Sequence, residues 1–229
     1  MKVNTDGVLL GASMTIRPSD RCLLDIGTGT GTIALMATQR LEGMQTEYSM
    51  AKNIYAIDID EASATEAAAN FRNSPWADSL KAFHSSLDEH SAAAGDIRYD
   101  LIFSNPPYFE DSLNAPEQRR NNARHTSTGL SYREILDFAS EYLTEEGRVS
   151  VVLPADTEHA LCRHARMDGL HLFRILRIRT VPRKLPSRII AEFSRKRTDF
   201  PEDVVLTIQN EGKYTQEYLS LMRDFYLFA

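Results

Sequence analysis

Four apolar runs rich in Ile, Val and Leu recur along the chain, at 21–26, 53–58, 99–104 and 148–154. Each is followed by a segment whose apolar positions return every three or four residues, at 32–41, 61–72, 131–143 and 156–167. Short apolar runs predict strands and a 3.6-residue period predicts amphipathic helices, so the order is βαβα. Ile54-Tyr55-Ala56-Ile57 and Val149-Ser150-Val151-Val152-Leu153 do not alternate polar with apolar, which predicts strands covered on both faces of a parallel sheet. A further strand is read before His84. The fold class is therefore α/β, doubly wound and Rossmann-like, with a mostly parallel sheet. The tail differs: 171–181, 189–195 and 204–209 read as strands joined by Pro-containing turns without helix-length connections, which predicts an antiparallel C-terminal edge. Tyr218, Leu221, Met222, Phe225 and Phe228 fall at helical spacing and predict a docked helix over 215–228. No repeat or linker interrupts the pattern, so 1–229 is expected to form a single domain.

Composition narrows the setting. With 42% hydrophobic and 25% charged residues the chain is of ordinary globular type. Its longest uncharged apolar stretches are strand-sized, and Met1-Lys2-Val3-Asn4-Thr5-Asp6 lacks the apolar core of a signal peptide, so a cytoplasmic protein without a membrane partner is expected. Cys22 and Cys162 stand alone in apolar surroundings, which predicts reduced, packed thiols, and neither belongs to a metal-ligand spacing. No metal is expected, and a monomer is the default. The net charge of −6 is unevenly spread. Between Arg163 and Arg197 eleven basic residues face two acids, Asp168 and Glu192; that segment carries +9 and leaves −15 on the rest. A basic region on an acidic body is the pattern that meets a phosphate backbone, and Arg179, Arg183 and Lys184 are candidates for that contact.

The candidate chemistry sits at the ends of two strands. Asp25-Ile26-Gly27-Thr28-Gly29-Thr30-Gly31 closes the first strand and opens a helix, the place where open α/β sheets bind ligands. Missing side chains at Gly27, Gly29 and Gly31 let a cofactor lie against the backbone. A nicotinamide-binding fingerprint would want glycine where Thr32 stands, and an acid about 20 residues on. Asp58 instead follows Gly31 by 27 residues, at the end of the second strand, placed to accept two ribose hydroxyls. Asn105-Pro106-Pro107-Tyr108-Phe109 follows the fourth strand and so faces the same edge. An exocyclic amine is a poor nucleophile because its lone pair is delocalised into the ring. Acceptors on its two hydrogens, the Asn105 side-chain oxygen and the Pro106 carbonyl, favour the form whose lone pair attacks. Tyr108 can stack on a flat substrate, with Pro107 and Phe109 as further walls. The two motifs together predict amino-group methylation from S-adenosylmethionine on a class I methyltransferase fold. Ser86, after the third strand, is a candidate contact to the adenine of that cofactor. Arg119, Arg120, Arg124 and His125 lie in a polar stretch, 110–129, long enough for a substrate loop.

Beyond these motifs the chain resembles the bacterial S-adenosylmethionine-dependent tRNA adenine-N6 methyltransferases that modify the adenine beside the anticodon of a valine tRNA. The resemblance is carried by Lys2-Val3-Asn4-Thr5-Asp6-Gly7-Val8-Leu9-Leu10-Gly11-Ala12, the Asp25 to Gly31 loop, Asn105 to Phe109, Ala123-Arg124-His125-Thr126 before Leu130-Ser131, and Asp224-Phe225-Tyr226-Leu227. It implies that Thr5 and Asp6 line the cofactor pocket, Asp25 and Gly27 the methionine end and Asp58 the ribose, while Asn105, Pro106 and Tyr108 hold the base. Arg124 and His125 are substrate candidates. Two departures accompany it: the family's segment upstream of this stretch precedes Met1, implying a truncated start, and Asn4 stands where relatives often carry glycine. A protein glutamine-N5 methyltransferase could use the same Asn-Pro-Pro-Tyr logic, but no separate helical substrate domain precedes Asp25. A DNA adenine methyltransferase would want an inserted recognition domain. The third alternative is a non-catalytic protein that binds S-adenosylmethionine or RNA.

Overall fold

A computed structural model of the chain describes residues 5–44, 52–107 and 130–226. Helix α1 (Thr5–Ser13) opens it, followed by β1 (Cys22–Ile26), α2 (Thr32–Gly43), β2 (Asn53–Asp58), α3 (Glu61–Arg72), β3 (Leu80–His84), α4 (Leu87–Ala94) and β4 (Tyr99–Ser104). After the second gap come α5 (Tyr132–Tyr142), β5 (Leu143–Pro154), α6 (Glu158–Met167), β6 (His171–Arg179), β7 (Arg188–Ser194), β8 (Glu202–Thr207), the short strands β9 (Gln209–Asn210) and β10 (Lys213–Tyr214), and α7 (Gln216–Met222).

Eight strands form one sheet in the order β3-β2-β1-β4-β5-β7-β6-β8. The first five are parallel, and β7 runs antiparallel to both neighbours. This is the doubly wound α/β arrangement read from the sequence. Its strands alternate their buried side chains between two cores: Leu23, Ile54, Leu101 and Phe103 face α1, α2, α3 and α7, while Leu24, Ile57, Ile102 and Val149 face α5 and α6. Covering both faces is what removes polar alternation from the runs.

Three expectations are corrected. The edge strand β8 pairs parallel to β6, because the 195–201 connection crosses from the end of β7, beside His171 at the start of β6, to the far side of that strand. The closing helix stops at Met222, so the apolar spacing overstated its length. Strand β5 begins at Leu143, not 148, taking in the polar Thr144-Glu145-Glu146-Gly147 stretch; Gly147 permits it, since a Cβ there would stand 2.7 Å from the Tyr99 carbonyl. Helix α1 has no counterpart in the reading from periodicity, because Gly7 through Ser13 are all buried and present no polar face. Gly11 brings α1 close to α2, where a Cβ would meet Met36 Sδ at 2.8 Å. Cys22 and Cys162 are free and half-buried, and burial pushes both thiols up, Cys22 to about 11. None of the described helices is long and apolar enough to cross a membrane.

Candidate active site

The carboxyl edge of the parallel strands collects the predicted residues through register alone. Ile26 pairs with Ser104, so the glycine loop after β1 and the Asn105-Pro106-Pro107 turn after β4 leave adjacent strands at one level. The Ser104 hydroxyl donates to the Ile26 carbonyl at 2.7 Å and ties the two exits together. Neighbouring strands lie about 4.8 Å apart, which brings a ligand on the glycine loop beside Asn105. Asn105 is half-buried, Pro106 buried and Pro107 exposed. Proline at 106 and 107 fixes φ at both, so the turn keeps its shape without a ligand.

The loop itself is held from below. Gly27 and Thr28 amides donate to the Ile57 carbonyl at 2.9 and 3.0 Å, and the Gly29 amide donates to Asp58 Oδ2 at 2.8 Å. Gly27, Gly29 and Gly31 have φ of 71°, 58° and 80°, the left-handed region where a side chain is strained. At Gly31 the reason is also steric, since a Cβ would stand 2.5 Å from the Phe71 ring. Asp58 is buried, and its other oxygen accepts the Asp60 amide at 2.9 Å. Each oxygen thus takes one amide and keeps a lone pair for a hydroxyl donor. Asp60 caps α3 through the Ser63 amide at 2.9 Å, which separates the roles of the two acids in Ile57-Asp58-Ile59-Asp60.

Asp25 lies fully buried beneath the loop. Its Oδ2 accepts the Thr28 hydroxyl at 2.7 Å, while Oδ1 has no hydrogen bond of ordinary geometry among the described residues. Burial pushes its carboxyl up to about 7, an effect that the Thr28 hydroxyl and the Ala34 amide offset only in part. Asp25 is thus a brace for the loop. Thr5 and Asp6 start α1, and Asp6 pairs with Arg188 at 2.9 Å, which docks the helix N-terminus against the start of β7 on this same edge.

Ser86 also carries a structural role. It is the N-cap of α4: its hydroxyl accepts the Glu89 amide at 3.2 Å, and its own amide and hydroxyl donate to the Glu89 carboxylate at 2.8 and 3.0 Å. It nevertheless lines the mouth of a cavity of about 750 Å³ between α4 and strands β2 and β3, together with Ile59, Phe83, Ser85, His90 and Tyr99. Ile59 is 63% exposed just past Asp58, an apolar face that the sequence reading passed over. Its signal was an isoleucine set between two acids beyond a strand end. Tyr108, Phe109, Arg124 and His125 lie outside the described residues.

The basic region divides in two. Arg174 pairs with the fully buried Glu192 at 2.7 Å, Arg177 binds Glu158 at 2.6 Å and Asp203 at 2.8 Å, and Lys196 pairs with Glu146. Glu192 belongs to the 163–197 segment itself, while Glu158, Asp203, Glu146 and Glu202, which also reaches Arg174 at 3.2 Å, come from outside it and offset part of the charge that the linear count left there. Arg179 is taken up by the Thr207 hydroxyl at 2.8 Å and the Pro182 carbonyl at 3.0 Å. Arg183 and Lys184 stay exposed on the 180–187 turn, without a side-chain partner among the described residues.

Comparison with known proteins follows this geometry. The family model "Methyltransferase small domain" matches residues 5–165, which include the glycine loop, Asp58 and the Asn-Pro-Pro turn. The chain belongs to that methyltransferase family. It is 39% identical to a Bacteroides fragilis protein over 99% of this chain and 91% of the relative, and 36% identical to one from Flavobacterium psychrophilum over 99% and 93%. Both relatives carry the name tRNA1(Val) (adenine(37)-N6)-methyltransferase. Among solved structures, a predicted O-methyltransferase from Agrobacterium tumefaciens superposes with a TM-score of 0.68 at 15% identity, covering 96% of each chain. The 16S rRNA N2 G1207 methyltransferase of Thermus thermophilus, in complex with AdoMet and guanosine, gives 0.55 at 16% identity over 85% of this chain and 44% of the other. These likenesses establish the fold. As a methyltransferase of this family, the chain uses S-adenosylmethionine as its methyl donor.

Proposed function

We propose that this enzyme transfers a methyl group from S-adenosylmethionine to the N6 amine of adenine 37 in tRNA1(Val), the substrate in the names of its relatives. The observation that carries the reading is the Ile26–Ser104 register, fastened by the Ser104 hydroxyl, which sets the glycine loop and the Asn105 turn side by side. The residues present fit the cofactor: glycines at positive φ leave the loop surface without Cβ atoms, and Asp58 keeps lone pairs for a ribose diol. Bound there, the cofactor supplies an electrophilic sulfonium methyl.

The chain's own groups do the positioning. Asn105 Oδ1 and the Pro106 carbonyl accept the two amine hydrogens and aim the nitrogen lone pair at the methyl carbon. In this reading Tyr108 stacks on the adenine and Phe109 walls its pocket. The transfer forms an N–C bond as the C–S bond breaks, and the amine's surplus proton leaves to solvent. Alignment supplies the rate, and no nucleophilic side chain is required. The target base must leave its stack to reach the edge, which costs least in a loop. Thr5, Asp6 and Asp25 brace the cofactor end, Ser86 the adenine end, and Arg183 and Lys184 meet the RNA.

The test is transfer of labelled methyl to unmodified bulk tRNA, followed by nucleoside mass spectrometry, with DNA and a release factor as parallel acceptors. N6-methyladenosine in tRNA alone is the expected result; label in the protein acceptor would replace this reading with glutamine methylation.

A further inference from the structure

The 180–187 turn carries a residue that neither the cofactor nor the base-holding turn uses. Leu185 is 88% exposed, next to Arg183 and Lys184 and between Pro182 and Pro186. A lone exposed leucine is ordinary; one held out by a braced turn is not. The turn closes through Lys184 N to Val181 O at 3.1 Å, and its root is fastened by Ser187 N to Ile178 O at 2.9 Å and Ala155 N to Ser187 O at 3.2 Å. The Arg179 guanidinium pins the Pro182 carbonyl to β8 through Thr207, and Arg188 fastens the base of β7 to Asp6. Two prolines and these backbone and side-chain ties present Leu185 in one place, exposed and with no partner among the described residues.

That place is the active edge. Arg188 pairs with Pro154 at the end of β5, and β7 lies two strands from β4. The start of β7 therefore stands on the order of 10 Å across the sheet from the strand that precedes Asn105. Apolar side chains that enter nucleic acid do so between base steps, flanked by cations on the phosphates.

We propose that Leu185 is a wedge: it enters the RNA loop and occupies the stacking place vacated by the target adenine, while Arg183 and Lys184 hold the flanking phosphates. The inference rests on the tRNA-adenine reading above and adds a positioning residue to it. Leu185 touches no reacting atom. It lowers the cost of holding the base out, so its removal matters only where there is a stack to leave.

The experiment compares wild type, Leu185→Ala and Leu185→Met on two RNAs: a stem-loop carrying the target adenine with 2-aminopurine as its neighbour, and a short unstructured oligonucleotide of the same loop sequence. Wild type is expected to raise the 2-aminopurine fluorescence on binding. Leu185→Ala is expected to lose that rise and to lower the stem-loop to oligonucleotide ratio of kcat by about tenfold, the equivalent of roughly 1.4 kcal/mol of unstacking. Leu185→Met is expected to keep both. An unchanged ratio and an unchanged fluorescence rise in Leu185→Ala would overturn the wedge. If wild type methylates neither RNA nor bulk tRNA, the parent reading fails first, and the wedge falls with it.

Discussion

At the scale of single residues, the proposed mechanism gives Asn105 to catalysis and Asp58 to cofactor binding. Asn105→Ala removes one of the two acceptors that orient the amine, so methyl transfer is expected to fall at least 100-fold while the Kd for S-adenosylmethionine moves by less than about threefold, read by single-turnover transfer and calorimetry. Asp58→Ala is expected to do the reverse, weakening cofactor binding first. Asp25 makes a prediction of unusual sign. Its carboxyl is raised to about 7 in the folded state against an ordinary 3.8, so between those values the folded chain holds a proton that the unfolded chain has released. Stability is therefore expected to fall as pH rises from about 4 to about 7, opposite to a carboxylate in an ion pair. Asp25→Asn should flatten this slope in urea titrations run across that range; an identical slope would remove the assignment. The placement of the motif glycines, Asp58 and Asn105 at strand ends was legible in sequence, because an apolar run marks where a strand stops. The brace role of Asp25 was not, since burial and the approach of Thr28 arise only when the loop closes.

At the scale of elements, the buried ion pairs decide how strands are joined to loops. Arg148 on β5 is fully buried and binds Asp20 through both terminal nitrogens at 2.6 and 3.2 Å, with a further bond to the Thr15 carbonyl at 3.0 Å. Glu192 on β7, equally buried, takes the Thr15 amide at 2.8 Å as well as Arg174. Together they clamp the segment between α1 and β1 to the sheet. Removing one partner strands the other charge, so Arg148→Ala is expected to cost about 3–5 kcal/mol in chemical denaturation, and replacement of both Arg148 and Asp20 by apolar residues should cost less than the single change. The capping boxes of α4 and α5, Ser86 with Glu89 and Ser131 with Glu134, each follow the local Ser-x-x-Glu pattern. Helix α1 was not readable from periodicity, because a helix covered all round loses its polar stripe. The start of β5 was hidden for the opposite reason: Leu143 pairs with Tyr99, distant in sequence, and the polar 144–147 stretch falls in the register shift before Arg148 pairs with Leu101.

Across the whole molecule the charge distribution changes meaning on folding. A linear count makes 163–197 one basic region, yet Arg174 and Arg177 are spent on Glu192, Glu158 and Asp203. Neutralising Arg183 and Lys184 together is expected to weaken tRNA binding and lower the salt slope of log K by about 2, roughly 1 for each phosphate contact. Arg174→Gln with Arg177→Gln is expected to leave that slope intact and lower Tm instead. A slope that fell equally in both pairs would return the whole region to the RNA footprint.

The sequence by itself determined the α/β class, the winding of the sheet, the glycine loop and the Asn-Pro-Pro turn, because hydrophobic period and residue type are local quantities. Only the tertiary structure decided which arginines of the basic region are paired with acids, that β8 lies parallel to β6, and that Leu185 is exposed on a braced turn. Ion pairing, strand order and exposure each depend on groups that the chain brings together from far apart, such as Arg177 with Glu158 and Asp203, and no local pattern records such a meeting.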